Sequence, residues 1–212
     1  MSKREIRNPE YFDSRNKMIP RIEQKLEIKK CHYLDLLKWI NHKGGKVLHP
    51  ERVICSRYFD NKNMQMYFDT VEGIVPRKKI RIRTYGSDNF ISSINNYSLE
   101  IKMTTEHSRL KKAIPNVNLD SLLRDGYFDN LYGVCNQLLD ISYIREYFLV
   151  KDIRVTIDKK IKYRLINLNR NFKKTFCEDQ SYVFEIKTNI NTNLSFLSNF
   201  FDFPRSRFSK YQ

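Results

Sequence analysis

The stretch RKKIRIRTYG, residues 77–86, concentrates the side chains of this sequence that are best suited to binding an anion. Alternate side chains of a β-strand share a face, so one face of this stretch would carry the cations Arg77, Lys79, Arg81 and Arg83. Like charges in a row repel one another, so we expect an anionic partner opposite them. Arginine can fix two oxygens of a phosphate group at once and lysine acts as a point charge, which makes phosphate a fitting partner.

Charged and apolar residues alternate in the same way in the stretches RIEQKLEI, SLEIKM, DIRVTID and YVFEIK. The charged faces would carry Arg21, Glu23, Lys25 and Glu27, then Glu100 and Lys102, then Asp152, Arg154 and Asp158, then Glu185 and Lys187. This alternation is typical of an antiparallel sheet with one face in water. It also fits a sheet of about eight strands that closes around one ligand. The repeated Glu-x-Lys and Arg-x-Arg pairs favour the second interpretation, because a solvated face usually includes Ser, Thr, Asn and Gln as well.

An interior lined with unpaired cations would be unstable, because burying a charge without a partner costs several kcal/mol. A chain of phosphates brings several negative charges into a narrow space. Carboxylates on the same face could hold a divalent metal that bridges phosphate oxygens. The sequence therefore predicts a phosphate chain that runs past the cations of residues 77–83.

Composition supports a polyanionic partner. The 212 residues carry a formal net charge of +15, with 41% hydrophobic residues available for a core. Charge alone allows nucleic acid, anionic lipid or a phosphate-rich small molecule. The aromatic residues fall mostly on apolar faces or predicted helices, so we do not expect nucleic acid. No long apolar stretch or secretory signal is found, and the four cysteines form no CxxC pair, so we expect a cytoplasmic protein.

The elements that must position these residues are mainly strands. We expect residues 1–19 to form a flexible N-terminal arm and residues 20–212 to form one α+β domain. Helices are predicted over HYLDLLKWINHKG, LDSLLRDGYFDNLYGVCNQLLD and TNLSFLSNFF. Strands are predicted over most of the remainder, including MQMYFDTVEG and, as two separate strands, KDIRVTIDKK and IKYRLI. About eight or nine strands with short connections favour an antiparallel meander, either open or closed into a barrel.

The ordered set of motifs resembles a known family. R-x-E-x-K at residues 21–25 is followed by YFD, RKKIRIRTY, LEIK, YIREYF, IRVTID, FEIK and a terminal SKY. This order is similar to that of the VTC (vacuolar transporter chaperone) polyphosphate polymerase domain, one of the CYTH-like triphosphate tunnel metalloenzymes. The resemblance implies an eight-stranded antiparallel closed β-barrel with a charged lumen and flanking helices. It also implies transfer of the γ-phosphoryl group of ATP to a polyphosphate chain, with Mn²⁺ or Mg²⁺ as cofactor.

The resemblance assigns roles to individual residues. The phosphate ligands it implies are Lys25, Arg81, Arg83, Lys102, Arg145, Arg154, Lys187 and Lys210. Further substrate contacts are expected from Tyr143 and Ser209 and from Lys111 or Lys112, between which the sequence does not decide, besides Arg77 and Lys79 of the first stretch. Glu185 is the implied metal ligand, with Glu100 and Glu23 as weaker candidates. Asp158 is expected to end a strand or to pair with a neighbouring arginine.

One departure and several alternatives remain. CYTH hydrolases typically begin with ExExK, whereas Arg21 takes the place of the first carboxylate here, which favours the VTC-like branch. A tripolyphosphatase or nucleoside triphosphatase of the same fold, and a non-catalytic module that binds polyphosphate or nucleic acid, stay open. The expected partners are ATP and inorganic polyphosphate. No membrane segment accompanies the domain, so attachment to a membrane would need a partner protein.

Overall fold

The computed structural model describes residues 21–86, 97–115, 117–166, 177–189 and 210–211. The predicted N-terminal arm, the helix predicted over TNLSFLSNFF, and Ser209 lie outside these residues. The described chain is mostly β-strand, as the alternation predicts.

The strands and helices have the following bounds. The strands are β1 Arg21–Lys29, β2 Lys46–Asp60, β3 Arg77–Tyr85, β4 Tyr97–Thr104, β5 Arg109–Ile114, β6 Tyr127–Asp129, β7 Gly133–Val150, β8 Ile153–Leu165, β9 Cys177–Glu178 and β10 Ser181–Asn189. The helices are α1 Tyr33–His42, α2 Gln65–Glu72 and α3 Leu119–Asp125, with a 3₁₀ turn over Lys30–His32 before α1.

The strands form one antiparallel sheet in the order β1-β10-β8-β7-β2-β3-β4-β5, with β6 paired to β7 and β9 paired to β8. The prediction of an eight-stranded barrel closed by hydrogen bonds is therefore wrong in two respects. The sheet has ten strands, and in the described part of the chain β1 and β5 end the path without pairing to each other. Alternation in a sequence shows which face a side chain takes, but it does not show whether two edge strands meet.

The two faces of the sheet differ as the sequence predicts. We call the face that carries Lys25, Arg81, Glu100, Arg145 and Glu185 the inner face, and the opposite one the outer face. Ile80 and Ile82 lie on the outer face and are fully buried. Burial of such side chains supplies most of the driving force for folding.

Helices cover the outer face in two places. Trp39 of α1 is buried in one cluster with Ile157 of β8 and Phe184 of β10. In the other cluster, Met66 of α2 and Leu122 of α3 are buried with the outer-face residues of β3 and β4. The helix predicted over HYLDLLKWINHKG is confirmed as α1, whose buried residues are Leu36, Trp39 and Ile40, whereas Leu34 is 64% exposed.

Three segments differ from the prediction. MQMYFDTVEG, predicted as a strand, forms α2, because Asp60 and Asn61 cap its first turn: Asp60 accepts hydrogen bonds from the backbone amides of Met66 and Tyr67 at 3.0 and 2.9 Å. The long helix predicted from Leu119 ends at α3, where Gly126 takes a left-handed φ of 81° and the chain continues into β6 and β7. IKYRLI continues β8 rather than forming a strand of its own.

Candidate phosphate-binding site

Arg81 and Arg83 lie on the inner face of β3 and are held by neighbouring strands. Arg81 donates from Nε and Nη2 to Oε2 of Glu100 at 2.8 and 2.6 Å, and from Nη1 to the Tyr58 hydroxyl at 2.9 Å. Arg83 donates from Nη2 to the Tyr143 hydroxyl at 3.0 Å. These contacts fix both guanidinium groups before any ligand is present.

Glu100 lies close to three cationic side chains. Besides Arg81, Lys111 Nζ of β5 lies 2.6 Å from its Oε1 and Arg83 Nη1 lies 4.0 Å from its Oε2. Lys111 therefore reaches the inner face. Lys112 pairs with Ile101, which packs against the outer core, so Lys112 belongs to the outer face. The structure thus places Lys111 on the inner face and Lys112 on the outer face, whereas the sequence did not distinguish between them.

A second cluster forms around Asp158, which is fully buried. Arg145 donates to it from Nε and Nη2 at 2.5 and 2.7 Å, and the Lys210 ammonium donates to the same carboxylate. Both cations also lie over the Tyr143 ring, at 5.3 Å for Arg145 and 4.5 Å for Lys210. Asp158 pairs with an arginine as expected, but it lies within β8 rather than at its end.

A third cluster lies on β1 and β10. Lys25 Nζ is 3.0 Å from Glu23, and Lys187 Nζ is 3.2 Å from Glu185 and 4.0 Å from Glu23. Burial alone would raise the pKa of the Glu185 carboxyl, but its hydrogen bond with Glu23 and the charges of Lys187 and Arg145 hold the pKa well below its usual range. Glu185 therefore stays ionised, with Lys187 at 3.2 Å and Arg145 at 3.4 Å as its cationic partners.

Charges from opposite ends of the strand order act on each other across the inner face. The charges of Glu23 on β1 and Lys187 on β10 shift the pKa of Lys102 on β4, although β4 and β1 lie near opposite ends of the strand order. Repulsion from Arg81, together with desolvation and Arg83, lowers the pKa of Lys102 to about 6. Charged side chains from both ends of the sheet therefore influence the inner face, although no hydrogen-bonded ladder joins β1 to β5 among the described residues.

Lys79 lies on the same face. Desolvation is the main cause that lowers its pKa to about 8, and Lys25, Arg77 and Arg81 repel it further. Burial would raise the pKa of the Tyr58 hydroxyl, but Arg81 and Arg83 outweigh it and lower the pKa. All these shifts have one origin, an excess of positive charge in a partly desolvated space.

The remaining predicted positions differ in their surroundings. Arg77 donates to the backbone carbonyls of Gly73 and Ile74, so its guanidinium serves the turn before β3. Arg154 stacks over the Tyr147 ring at 5.6 Å, and its Nε is buried without a hydrogen-bond acceptor among the described residues. Across the described segments, neither Lys102 nor Arg154 has a carboxylate within ion-pair distance.

Sequence reasoning missed Tyr58, Asp60 and Tyr211. Tyr211 stacks on Tyr58 with ring centroids 4.7 Å apart, and its hydroxyl donates to Asp60 at 2.5 Å. The residues after Ser209 therefore connect to the YFD motif and to Asp158. YFD and SKY both belong to the ordered set of motifs, and this was the signal in the sequence for these residues. The spacing of the two motifs along the chain does not reveal that they touch.

The described residues contain no group of three or more His, Cys, Asp or Glu side chains arranged for a metal. Glu23 and Glu185 are the pair of inner-face carboxylates that contact each other. Glu100 lies among the cations of Arg81, Lys111 and Arg83, and Glu185 lies among those of Lys187 and Arg145. None of the described helices is long and apolar enough to cross a membrane.

Comparisons with known proteins agree with this geometry. A candidate adenylate cyclase from Bacillus halodurans has a similar structure, with a TM-score of 0.51, 11% identity, and coverage of 85% of this chain and 84% of the other. A candidate adenylyl cyclase from Hippeastrum, described as having a dominant triphosphatase activity, has a TM-score of 0.51, 13% identity, and coverage of 91% and 93%. Both likenesses show that this chain shares the fold of these two proteins.

Sequence comparison gives the family. No curated protein matches the chain. The family profile described as the VTC domain matches residues 20–131 and 134–212, which is nearly the whole sequence. The chain therefore belongs to the VTC domain family.

Proposed function

We propose that this protein is an ATP-dependent polyphosphate polymerase that transfers the γ-phosphoryl group of ATP to a polyphosphate chain on its inner face. The observation that carries the proposal is that the inner face has more cations than carboxylates to pair with them. Of the eight phosphate ligands that the resemblance implies, Lys102 and Arg154 have no carboxylate within 4.0 Å in the described part of the chain, and crowding among cations lowers the pKa of Lys102 to about 6. A phosphate chain supplies the missing negative charge.

Phosphoryl transfer fits a site built in this way. The reaction needs alignment and charge neutralisation more than a covalent nucleophile, so fixed cations can perform most of the work. Arg83, Lys102 and Lys187 approach the enclosure from different strands and would hold successive phosphates in line. Arg145 and Lys210 are kept in place by Asp158, which makes Asp158 a positioning residue. The atoms balance as ATP plus a chain of phosphates giving ADP plus a chain longer by one phosphate.

A divalent metal fits the pair Glu23 and Glu185. Mg²⁺ is usually held by one or two carboxylates together with substrate phosphates rather than by a cage of protein ligands. This agrees with the absence of a larger cluster among the described residues. When bound, such a metal would neutralise charge on phosphate oxygens. Glu100, in contrast, would orient Arg81 and Lys111.

A triphosphatase acting on tripolyphosphate or nucleotides is the second candidate. It is favoured by the Hippeastrum protein, for which triphosphatase activity is the dominant one. The two candidates share the donor site and differ in the acceptor, which is a phosphate of the polymer in one case and water in the other. Product identity separates them.

The test is a product assay with ATP and Mn²⁺. We expect ADP and an acid-stable phosphate polymer in amounts that match phosphate for phosphate, and we expect a chelator to abolish both. Replacing Arg83 by Ala should lower kcat/KM at least about 100-fold, because one preorganised contact to developing charge is lost. The control Lys38→Ala removes an equal charge from α1, where the side chain is 80% exposed, and should leave the rate unchanged.

The possible outcomes separate the candidates. ADP with free phosphate and no polymer would establish the triphosphatase. Tight binding of ATP without any turnover would establish a binding module. We further propose that the ATP is drawn from the cytoplasm and that any membrane attachment depends on a partner protein.

A further inference from the structure

A further group of cations lies on the inner face, outside the clusters around Glu100, Asp158 and Glu185. Arg52 and His49 of β2 and Arg154 of β8 surround one side chain, Tyr147 of β7. The two guanidinium carbons lie 5.7 and 5.6 Å from the centre of the Tyr147 ring, and the His49 ring packs edge-on at 5.6 Å. Tyr147 is only 5% exposed, so the ring forms the floor of this group.

This group lacks a negative partner in the described part of the chain. No carboxylate there lies within 4.0 Å of Arg52, Arg154 or His49, and the Arg154 Nε is a buried donor without an acceptor. A buried donor left unsatisfied destabilises the fold, and two arginines next to one ring repel each other. Such an arrangement is stable when an anion accepts from the arginines. Desolvation, Arg52 and Arg154 lower the pKa of His49, so the histidine adds a polar contact rather than a charge near neutral pH.

The group adjoins the proposed catalytic site on two sides. Arg154 pairs with Lys187 across β8 and β10, and Arg52 pairs with Arg145 across β2 and β7. Side chains paired in this way lie on the same face, about 5 Å apart. A flexible anion held at Lys187 and Arg145 can therefore continue without a gap to Arg154 and Arg52.

We propose that Arg52, Arg154 and His49 form a second anion subsite for the phosphates of a chain longer than a triphosphate. The inference rests on the proposed function of the neighbouring site and specifies which part of the inner face holds the polymer. Arg52 and His49 are not among the ligands that the resemblance implies. The subsite predicts that affinity depends on chain length, because only a long chain spans both groups.

The experiment compares two ligands on the full chain by calorimetry, namely tripolyphosphate and long-chain polyphosphate, without metal. Arg52 is exposed, and its described contact is with the Tyr147 ring, which other residues keep in place, so Arg52→Ala should fold normally, which thermal unfolding verifies. We expect this variant to bind long-chain polyphosphate about tenfold more weakly, the usual effect of losing one charge-assisted contact. Its affinity for tripolyphosphate should change by less than about twofold. Arg52→Lys should recover part of the loss.

A second readout excludes a general charge effect. The fall of log affinity with log salt should become less steep in Arg52→Ala for the long chain only, because one fewer counterion is released. Lys38→Ala should leave both affinities and both slopes unchanged. An equal loss for the two ligands, or no loss for the long chain, would overturn the subsite. The binding result stands apart from catalysis, so a wild-type protein that makes no polymer would refute the polymerase and leave this test intact.

Discussion

Lys102 is surrounded by cations that a bound anion would neutralise. Its pKa of about 6 means that the side chain is mostly uncharged at pH 8 in the free protein, and the pKa of about 8 at Lys79 means that this group is half charged there. Lys102 is exposed to solvent within the enclosure, so water screens part of the repulsion. Both groups nevertheless respond to charge in the same space.

We predict that phosphate binding at pH 8 is accompanied by proton uptake. A bound anion raises the pKa of Lys102 and Lys79, so the complex holds more protons than the free protein, and affinity falls as pH rises above about 6. Calorimetry of tripolyphosphate binding in buffers of different ionisation enthalpy measures this uptake. A terminal phosphate that still carries a proton at pH 8 would release it on binding to cations, so a net uptake of protons belongs to the protein.

The variant Lys102→Met serves as the matched comparison. It removes the group with the lowest pKa, so proton uptake should fall by as much as about one proton per bound ligand, with the remainder due to Lys79. Equal binding enthalpies in all buffers for the natural protein would show that these lysines are already charged. The enclosure would then hold less surplus charge than the geometry indicates.

At the level of single residues, the sequence best predicted which face of a strand each side chain takes. The inner-face positions of Arg81, Arg83, Lys102 and Lys187 follow directly from that alternation. The contacts between distant parts of the chain, such as Tyr211 with Tyr58 and Asp60, could not be predicted, because they depend on how the sheet curls. The hydrogen bonds of Arg77 to the turn before β3 likewise could not be predicted from alternation.

At the level of elements, β3 has a double role. Its inner face carries the cations, and its outer face anchors the core through Ile80 and Ile82, both fully buried. Strand propensity and burial therefore act together, since a strand that lost its outer packing would also lose the alignment of its arginines.

We predict that Ile82→Ala lowers the free energy of unfolding by about 3 kcal/mol, because it removes buried methyl groups and leaves a cavity in the outer core. Urea denaturation measures the change. Leu110→Ala on β5 is the control, since Leu110 is 49% exposed and the change should stay within about 0.5 kcal/mol. Similar losses in the two variants would mean that the outer face of β3 is not the core that the structure describes.

For one segment, the local sequence pattern predicted the wrong secondary structure. MQMYFDTVEG has the β-rich composition of a strand, yet Asp60 and Asn61 satisfy the first amides of α2 and Met66 fills the core. The capping signal was present in the sequence as FDN, but the apolar composition that follows favours a strand equally well. The caps at Asp60 and Asn61, together with the packing of Met66, favour the helix.

At the scale of the whole molecule, the sheet encloses an ionic interior without joining β1 to β5 by hydrogen bonds in the described chain. Enclosure depends instead on the twist of a long sheet and on contacts such as those of Lys210 and Tyr211 with β2 and β8. The net charge of +15 is consistent with a polyanionic ligand, although composition could not locate it.

The most direct test of the account is a crystal structure with a non-hydrolysable ATP analogue and Mn²⁺. We predict that the triphosphate lies on the inner face, with phosphate oxygens about 3 Å from the cationic nitrogens of Arg83, Lys102 and Lys187 and with the metal at Glu185. A triphosphate bound to the outer face or to surface lysines, with the inner-face side chains unchanged, would contradict the account.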